Sequence, residues 1–257
     1  MKVSIITVVY NGAATIAEAV ASVLAQDYPD LEYIVIDGAS KDKTLEILQG
    51  YADRIHVLVS EPDKGIYDAM NKGLTRATGD IVGILNADDL YAHPGVISQV
   101  VAAMTAAGTD TLYADLTYFK DSDPEAVMRY YSGKGFHLKR FEVGDMPPHP
   151  TFFVRRACYM AHGLFDTSYR ICADFELMVR FLYVQRLSAH YLPAVLVRMR
   201  AGGISDGGWR GRHRVNVEIQ RAMRQNGLHA PMWKIYSKYF RKIWQLFSRP
   251  KATSTPA

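Results

Sequence analysis

Four short polar segments each follow an apolar run in the first 90 residues: Tyr10-Asn11-Gly12, Asp37-Gly38-Ala39-Ser40, Glu61-Pro62-Asp63 and Asn86-Ala87-Asp88-Asp89. Together they carry five carboxylates. In an open α/β sheet, ligands bind beyond the carboxyl ends of the strands, so loops in these positions converge on one rim. Carboxylates at such a rim suit a nucleotide whose pyrophosphate is neutralised by a divalent cation, because Mg2+ and Mn2+ take oxygen ligands and share them with phosphates. The phosphate cradles that use backbone amides are missing. A single glycine, Gly12, follows the first run, and neither G-x-G-x-x-G nor G-x-x-x-x-G-K-[ST] occurs. Taken alone, Asp88-Asp89 also reads as the N-cap of a helix beginning at Pro94.

The elements that must hold these loops are legible from periodicity. Strands are expected at Val3–Val9, Leu31–Ile36, Ile55–Val59, Asp80–Leu85 and Thr111–Phe119. Helices are expected at Ala14–Gln26, Lys43–Tyr51, Tyr67–Ala77 and Pro94–Ala107. This alternation predicts a mostly parallel α/β sheet flanked by helices. The rest of the chain is less regular. Short strands are expected at Val127–Tyr131 and Thr151–Val154, one or two more within His190–Arg200, and helices at Phe175–Val184, Trp209–Asn226 and Met232–Phe247.

The chain has 257 residues, 49% hydrophobic and 22% charged, which excludes a disordered, collagenous or disulfide-scaffold protein. Its two cysteines, Cys158 and Cys172, form no metal-ligand spacing, and a reducing compartment is expected. No apolar segment approaches the roughly 20 residues that span a bilayer, so a soluble or peripheral cytoplasmic protein is expected. The net charge of +4 hides an asymmetry: residues 205–257 hold 11 Lys/Arg and 2 Asp/Glu, a balance of +9 on a mildly acidic body. A basic tail of this kind is suited to an anionic partner.

The ordered set Thr7-Val8-Val9-Tyr10-Asn11, Asp37-Gly38-Ala39-Ser40-Lys41-Asp42-Lys43-Thr44 and Leu85-Asn86-Ala87-Asp88-Asp89 resembles glycosyltransferase family 2 with its GT-A fold. Three further segments narrow the resemblance to bacterial exopolysaccharide, O-antigen and colanic acid glycosyltransferases. They are Ser60–Gly73, His149-Pro150-Thr151-Phe152-Phe153 and Ala173–Arg180. The resemblance spans about residues 2–205. It implies that Thr7, Tyr10, Asn11, Asp37, Asp63 and Asn86 face the donor, with Asp37 accepting from the base and Asp63 near base and ribose. Asp88 would be the metal-binding acid of the D-x-D element, whose first acid is replaced here by Asn86; Asp89 and His149 are further metal candidates. Asp174 matches the general base, with Ala173 where a second acid is usual and Glu176 in reserve. Gly202, Gly203 and Ser205 would border the acceptor.

Winding Trp233–Arg249 at about 100° per residue puts Lys234, Lys238, Arg241, Lys242 and Arg249 on one arc and Trp233, Ile235, Tyr236, Phe240, Trp244 and Phe247 on the other. That pattern suits a helix lying on an anionic membrane; packing on the body or on a second copy in a homodimer is the alternative, and nucleic acid is not expected. The expected organisation is a GT-A catalytic domain over 1–205 (a nucleotide-sugar half to about 120, an acceptor half from about 121), a basic helical extension over 206–250, and a disordered end at 251–257. The expected activity is inverting, Mn2+- or Mg2+-dependent sugar transfer from a nucleoside diphosphate donor, a UDP-sugar by family habit, to a glycan or lipid-linked acceptor of a bacterial surface polysaccharide. Asn86 and Ala173 keep open a rival, a catalytically silent nucleotide-binding scaffold.

Overall fold

A computed structural model describes residues 1–202, 208–229 and 231–236. Strands β1 (Val3–Val9), β2 (Leu31–Asp37), β3 (Val57–Ser60) and β4 (Ile81–Ile84) pair in parallel in the order β3-β2-β1-β4. The chain therefore leaves β1 on both sides, which opens a crevice at the carboxyl ends of β1 and β4. Beyond β4 the sheet turns mixed. Strand β8 (Phe153–Arg155) runs antiparallel between β4 and β6 (Thr111–Phe119), and β9 (Ala189–Arg200) pairs in parallel with β6. Strands β5 (Leu90–Tyr91) and β7 (Arg129–Tyr131) add antiparallel edges to β9 and β6. The parallel reading thus holds for the first half, and the whole is a mixed sheet.

Side chains alternate across β1, as the period of two requires. Val3, Ile5 and Val9 pack on one layer with α1 (Ile16–Leu24), α2 (Thr44–Gln49) and α4 (Val96–Ala107). Ile6 and Val8 face the other layer, which holds α3 (Ile66–Arg76), α5 (Arg156–His162), α6 (Ala173–Met178) and α7 (Gly208–Gln225). Helix α3 lies very close to β1: a Cβ on Gly73 would meet Ile6 Cγ2 at 2.4 Å, which only glycine avoids.

Three local features differ from expectation. The stretch after Ala189 is one 12-residue strand. Its register jumps from Leu192 opposite Ala114 to Val195 opposite Asp115, and Pro193, which has no N–H to give the ladder, falls in the bulge. The helix expected over Phe175–Val184 is α-helical only to Met178 and then π-helical from Val179 to Val184. Helix α5 has seven residues, too few to display a helical period. Among the described residues no helix is long and apolar enough to cross a membrane.

Candidate active site

The loops after β1 and β2 are laced together. Asn11 takes a left-handed turn (φ 51°). Its N–H donates to Ser40 Oγ at 2.8 Å, and its Oδ1 accepts from the Lys41 N–H at 2.8 Å. The Gly12 N–H donates to Thr44 Oγ1 at 2.9 Å. Asp37 is fully buried beneath this lacing. It accepts from Ser60 Oγ at 2.6 Å, from the Ser40 N–H at 3.2 Å and from the Ser40 hydroxyl. Asp37 therefore departs from the base acceptor expected of it, with both carboxylate oxygens engaged in the loop and no exposed surface, while Asn11 uses its N–H and Oδ1 in the lacing and stays exposed. Thr7 corrects the expectation of a pocket-lining residue. It has no exposed surface, and its hydroxyl accepts from Tyr33 at 3.1 Å inside the core.

The five rim carboxylates sort by surroundings. Asp37 is spent on the loop, and Glu61 turns to Lys72 of α3 at 3.1 Å. Asp89 is buried, and that burial, with the Asp88 charge beside it, pushes its carboxyl up to about 8. Asp63 and Asp88 remain partly accessible. Asp63 Oδ1 accepts from the Gly65 N–H at 2.8 Å, while Oδ2 leans over Gly38, where a Cβ would meet it at 2.3 Å and Tyr10 Cδ2 at 3.4 Å. The Tyr10 ring is 57% exposed. An open aromatic face beside a carboxylate oxygen can stack on a base and accept from it or from a ribose hydroxyl.

Asn86 Nδ2 donates to Asp89 Oδ2 at 3.1 Å, which leaves Asn86 Oδ1 and Asp89 Oδ1 buried without hydrogen-bond partners. No group of three His, Cys, Asp or Glu converges among the described residues. A hard cation shared with a diphosphate does not require one, since it draws its remaining oxygens from phosphate and water. One accessible carboxylate, Asp88, beside an orphaned amide oxygen fits that chemistry.

The second wall rises from α3. The Tyr67 hydroxyl donates to the Ile171 carbonyl and lies 3.4 Å from Asp174 Oδ1. Asn71 clamps Phe165 in both directions, at 2.9 and 3.0 Å. Asp174 keeps part of its surface open but is packed deeply enough that burial raises its carboxyl above the usual range. The nearby His149, the Phe175 N–H at 2.8 Å and Tyr67 pull it back. His149 sits edge-on to Phe165 at 6.0 Å, and burial lowers its imidazole against the pull of Asp174. It thus stands beside the candidate base. Glu176, the reserve base, is buried in a two-pronged pair with Arg180, both contacts at 3.0 Å, and also accepts from Asn226 at 3.2 Å. A carboxylate so occupied is not free to take a proton. Tyr67 lies within a segment that marked the family, yet nothing in its spacing assigned it this contact.

Gly202 ends the described part of the loop after β9, and Gly203 and Ser205 lie outside the described residues. Helix α7 packs Ile219, Ala222 and Met223 into the core, with Leu228 and Ile235 following. Ile235 corrects the expectation of an outward apolar face at that position, since it is fully buried. Lys234 pairs with Glu142, and Trp233 is 73% exposed. Lys238, Phe240, Arg241, Trp244 and Phe247 lie outside the described residues.

Residues 4–160 match the family model described as glycosyl transferase family 2. An uncharacterized glycosyltransferase of Mycobacterium tuberculosis is 33% identical over 180 residues, 69% of this chain and 68% of that one. A PGL/p-HBAD biosynthesis glycosyltransferase of Mycobacterium bovis is 28% identical over 211 residues, 79% of this chain and 78% of its own. Among solved structures, S. aureus TarS 1-349 in complex with UDP-GlcNAc superposes with a TM-score of 0.70 at 19% identity, covering 87% of this chain and 66% of that one. The mannosyltransferase PcManGT from Pyrobaculum calidifontis, in complex with GDP-Man and Mn2+, gives 0.66 at 19% identity, over 97% and 76%. These two share its fold.

Proposed function

The chain belongs to glycosyltransferase family 2 and is a glycosyltransferase, and on that premise we propose that it transfers a sugar from a nucleoside diphosphate to an acceptor hydroxyl with inversion at the anomeric carbon. The observation that carries this reading is the short path from donor rim to base. Asp63 closes the loop into α3, and Tyr67, four residues on, reaches Asp174 at 3.4 Å. A donor seated on Tyr10 and Asp63 would then present its sugar toward Asp174. With its carboxyl ionised, Asp174 takes the proton of the attacking acceptor hydroxyl, a task worth about 10²–10⁴ in rate. Asp88 and Asn86 would hold a divalent cation, which when bound supplies charge stabilisation to the departing diphosphate. Asp89 backs that pair from inside the core.

Relatives and neighbours named for UDP-GlcNAc, GDP-Man and PGL/p-HBAD biosynthesis support a nucleotide-sugar donor and a glycolipid or surface-polysaccharide acceptor. A UDP-sugar is the first donor to test, and residues beyond 236 are read as the element that brings the enzyme to an anionic inner-leaflet surface. The test is a panel of nucleotide sugars with Mn2+, read as thermal stabilisation and as donor turnover. One donor at 100 times its Kd should stabilise the fold by about 2.7 kcal/mol, and it should be consumed. Asp88→Asn should abolish turnover without changing the melting temperature of the free protein. A donor that binds but is never consumed, with or without acceptor, would instead establish the silent-scaffold reading.

A further inference from the structure

Helix α6 starts at Ala173, one residue before Asp174, after ten residues without regular structure, 163–172, so contacts from outside that segment bear on where the Asp174 carboxylate points. The contacts come from α7. Glu218 Oε2 accepts from the backbone N–H groups of Ile171 and Cys172, both at 2.9 Å, and Oε1 accepts from that of Arg170 at 3.2 Å. Three successive amides are thus gathered on one carboxylate, with the added strength of a charged acceptor. The same stretch is held from its other side, because the Ile171 carbonyl accepts from Tyr67, whose hydroxyl also lies 3.4 Å from Asp174 Oδ1. Glu218 is itself anchored, since Ile219, Ala222 and Met223 on the same helix are buried in the core. Elsewhere α7 covers the segment more generally, with Arg221 donating to Ser168 Oγ at 2.6 Å and lying over the Tyr169 ring at 4.4 Å.

We propose that Glu218 is a positioning residue for the base, fixing the 170–172 peptides so that the Asp174 carboxylate meets the acceptor hydroxyl. The inference rests on the reading of Asp174 as that base. Glu218 acts through three peptide groups that end two residues before Asp174. A misplacement of about 1 Å in a reacting group can cost around 10²-fold in rate, so a loosened peptide here should register in turnover. Gln at 218 keeps a carbonyl acceptor at the same reach. Asp withdraws the carboxylate by one methylene, and Ala removes it.

The test measures kcat, acceptor KM and donor Kd in the full-length enzyme for Glu218→Ala, Glu218→Gln, Glu218→Asp, Asp174→Asn, the Glu218→Ala/Asp174→Asn double variant, and Arg221→Ala. Glu218→Ala should lower kcat by about 10-fold or more with donor Kd unchanged, and Glu218→Gln should recover part of the loss. The double variant should be no slower than Asp174→Asn alone, because the two residues act through one carboxylate. Should Glu218→Ala fail to fold, Glu218→Gln against Glu218→Asp carries the same comparison, with Asp the slower. Unchanged kcat in both Glu218→Ala and Glu218→Asp beside an inactive Asp174→Asn would overturn this inference alone. So would multiplicative losses in the double variant, or a kcat loss in Arg221→Ala matching that of Glu218→Ala at equal loss of stability. Wild-type kcat in Asp174→Asn would overturn the base assignment, and this inference with it.

Discussion

The hydroxyl of Tyr67 serves two groups at once, donating to the Ile171 carbonyl and standing 3.4 Å from Asp174 Oδ1. Helix α3 and the segment ahead of α6 therefore meet at a single oxygen. Tyr67→Phe removes that oxygen and keeps the ring stacked on Phe165. The loss of one buried hydrogen bond should cost about 1 kcal/mol in urea unfolding. Turnover should fall several-fold while donor affinity, measured by calorimetry, stays the same. An unchanged kcat would show that the contact serves the fold only.

The acid side of the pH–rate profile should belong to Asp174. A general base works ionised, so kcat/KM must fall as pH drops through its pKa. Burial raises that carboxyl, with the neighbouring His149, the Phe175 N–H and Tyr67 opposing. The limb should therefore lie above the ordinary aspartate value of about 3.9. Initial rates across the acid range, with donor saturating, decide it; a limb at the ordinary value contradicts the buried base.

Gly38 leaves room for Asp63 to lean toward Tyr10. In Gly38→Ala the new Cβ would meet Asp63 Oδ2 at 2.3 Å. That oxygen is the end of a side chain able to rotate, so the melting temperature should move little. Donor Kd should nevertheless rise by about 10-fold, the equivalent of roughly one lost hydrogen bond to a charged group. Unaltered donor binding would place the base elsewhere on the rim.

Two truncations separate the two jobs of the C-terminal region. Removing residues 237–257 should release the enzyme from anionic vesicles and leave unfolding unchanged. Each lysine or arginine near such a surface is worth about 1 kcal/mol, and this segment contains five of them, Lys238, Arg241, Lys242, Arg249 and Lys251. Removing residues 231–257 also takes Ile235 from the core, and truncating a buried isoleucine typically costs about 2–5 kcal/mol. Vesicle flotation and thermal melts on both forms provide the check. Undiminished flotation of the shorter cut would refute membrane attachment by the tail.

How well the sequence could be read followed how local each signal is. Strand β1 and strand β6 lie where the apolar runs predict them, Val3–Val9 and Thr111–Phe119, because a buried strand writes its own boundary in β-branched residues. The rim loops were legible for the same reason, as polar stops on those runs. The fate of each rim carboxylate was not. Asp37, Glu61 and Asp89 differ from Asp63 and Asp88 only through partners brought in from elsewhere: Ser60, Lys72 and enclosing core. Thr7 looked like a polar residue near the ligand, but its phase on β1 turns it inward to Tyr33. Tyr67 and Asp174 stand 107 positions apart, and no periodicity in either helix announces that they touch.

The grip of α7 on the residues before Asp174 also sets an order of events in time. The parallel strands β1–β4 and their three helices are complete once the ribosome has made the first 84 residues. Asp174 is translated long afterwards, and its supporting carboxylate at Glu218 follows 44 positions later still, a separation read directly from the numbering. A chain cut between Asp174 and Glu218 therefore still carries every rim residue and Asp174 itself but lacks the carboxylate that gathers the 170–172 amides.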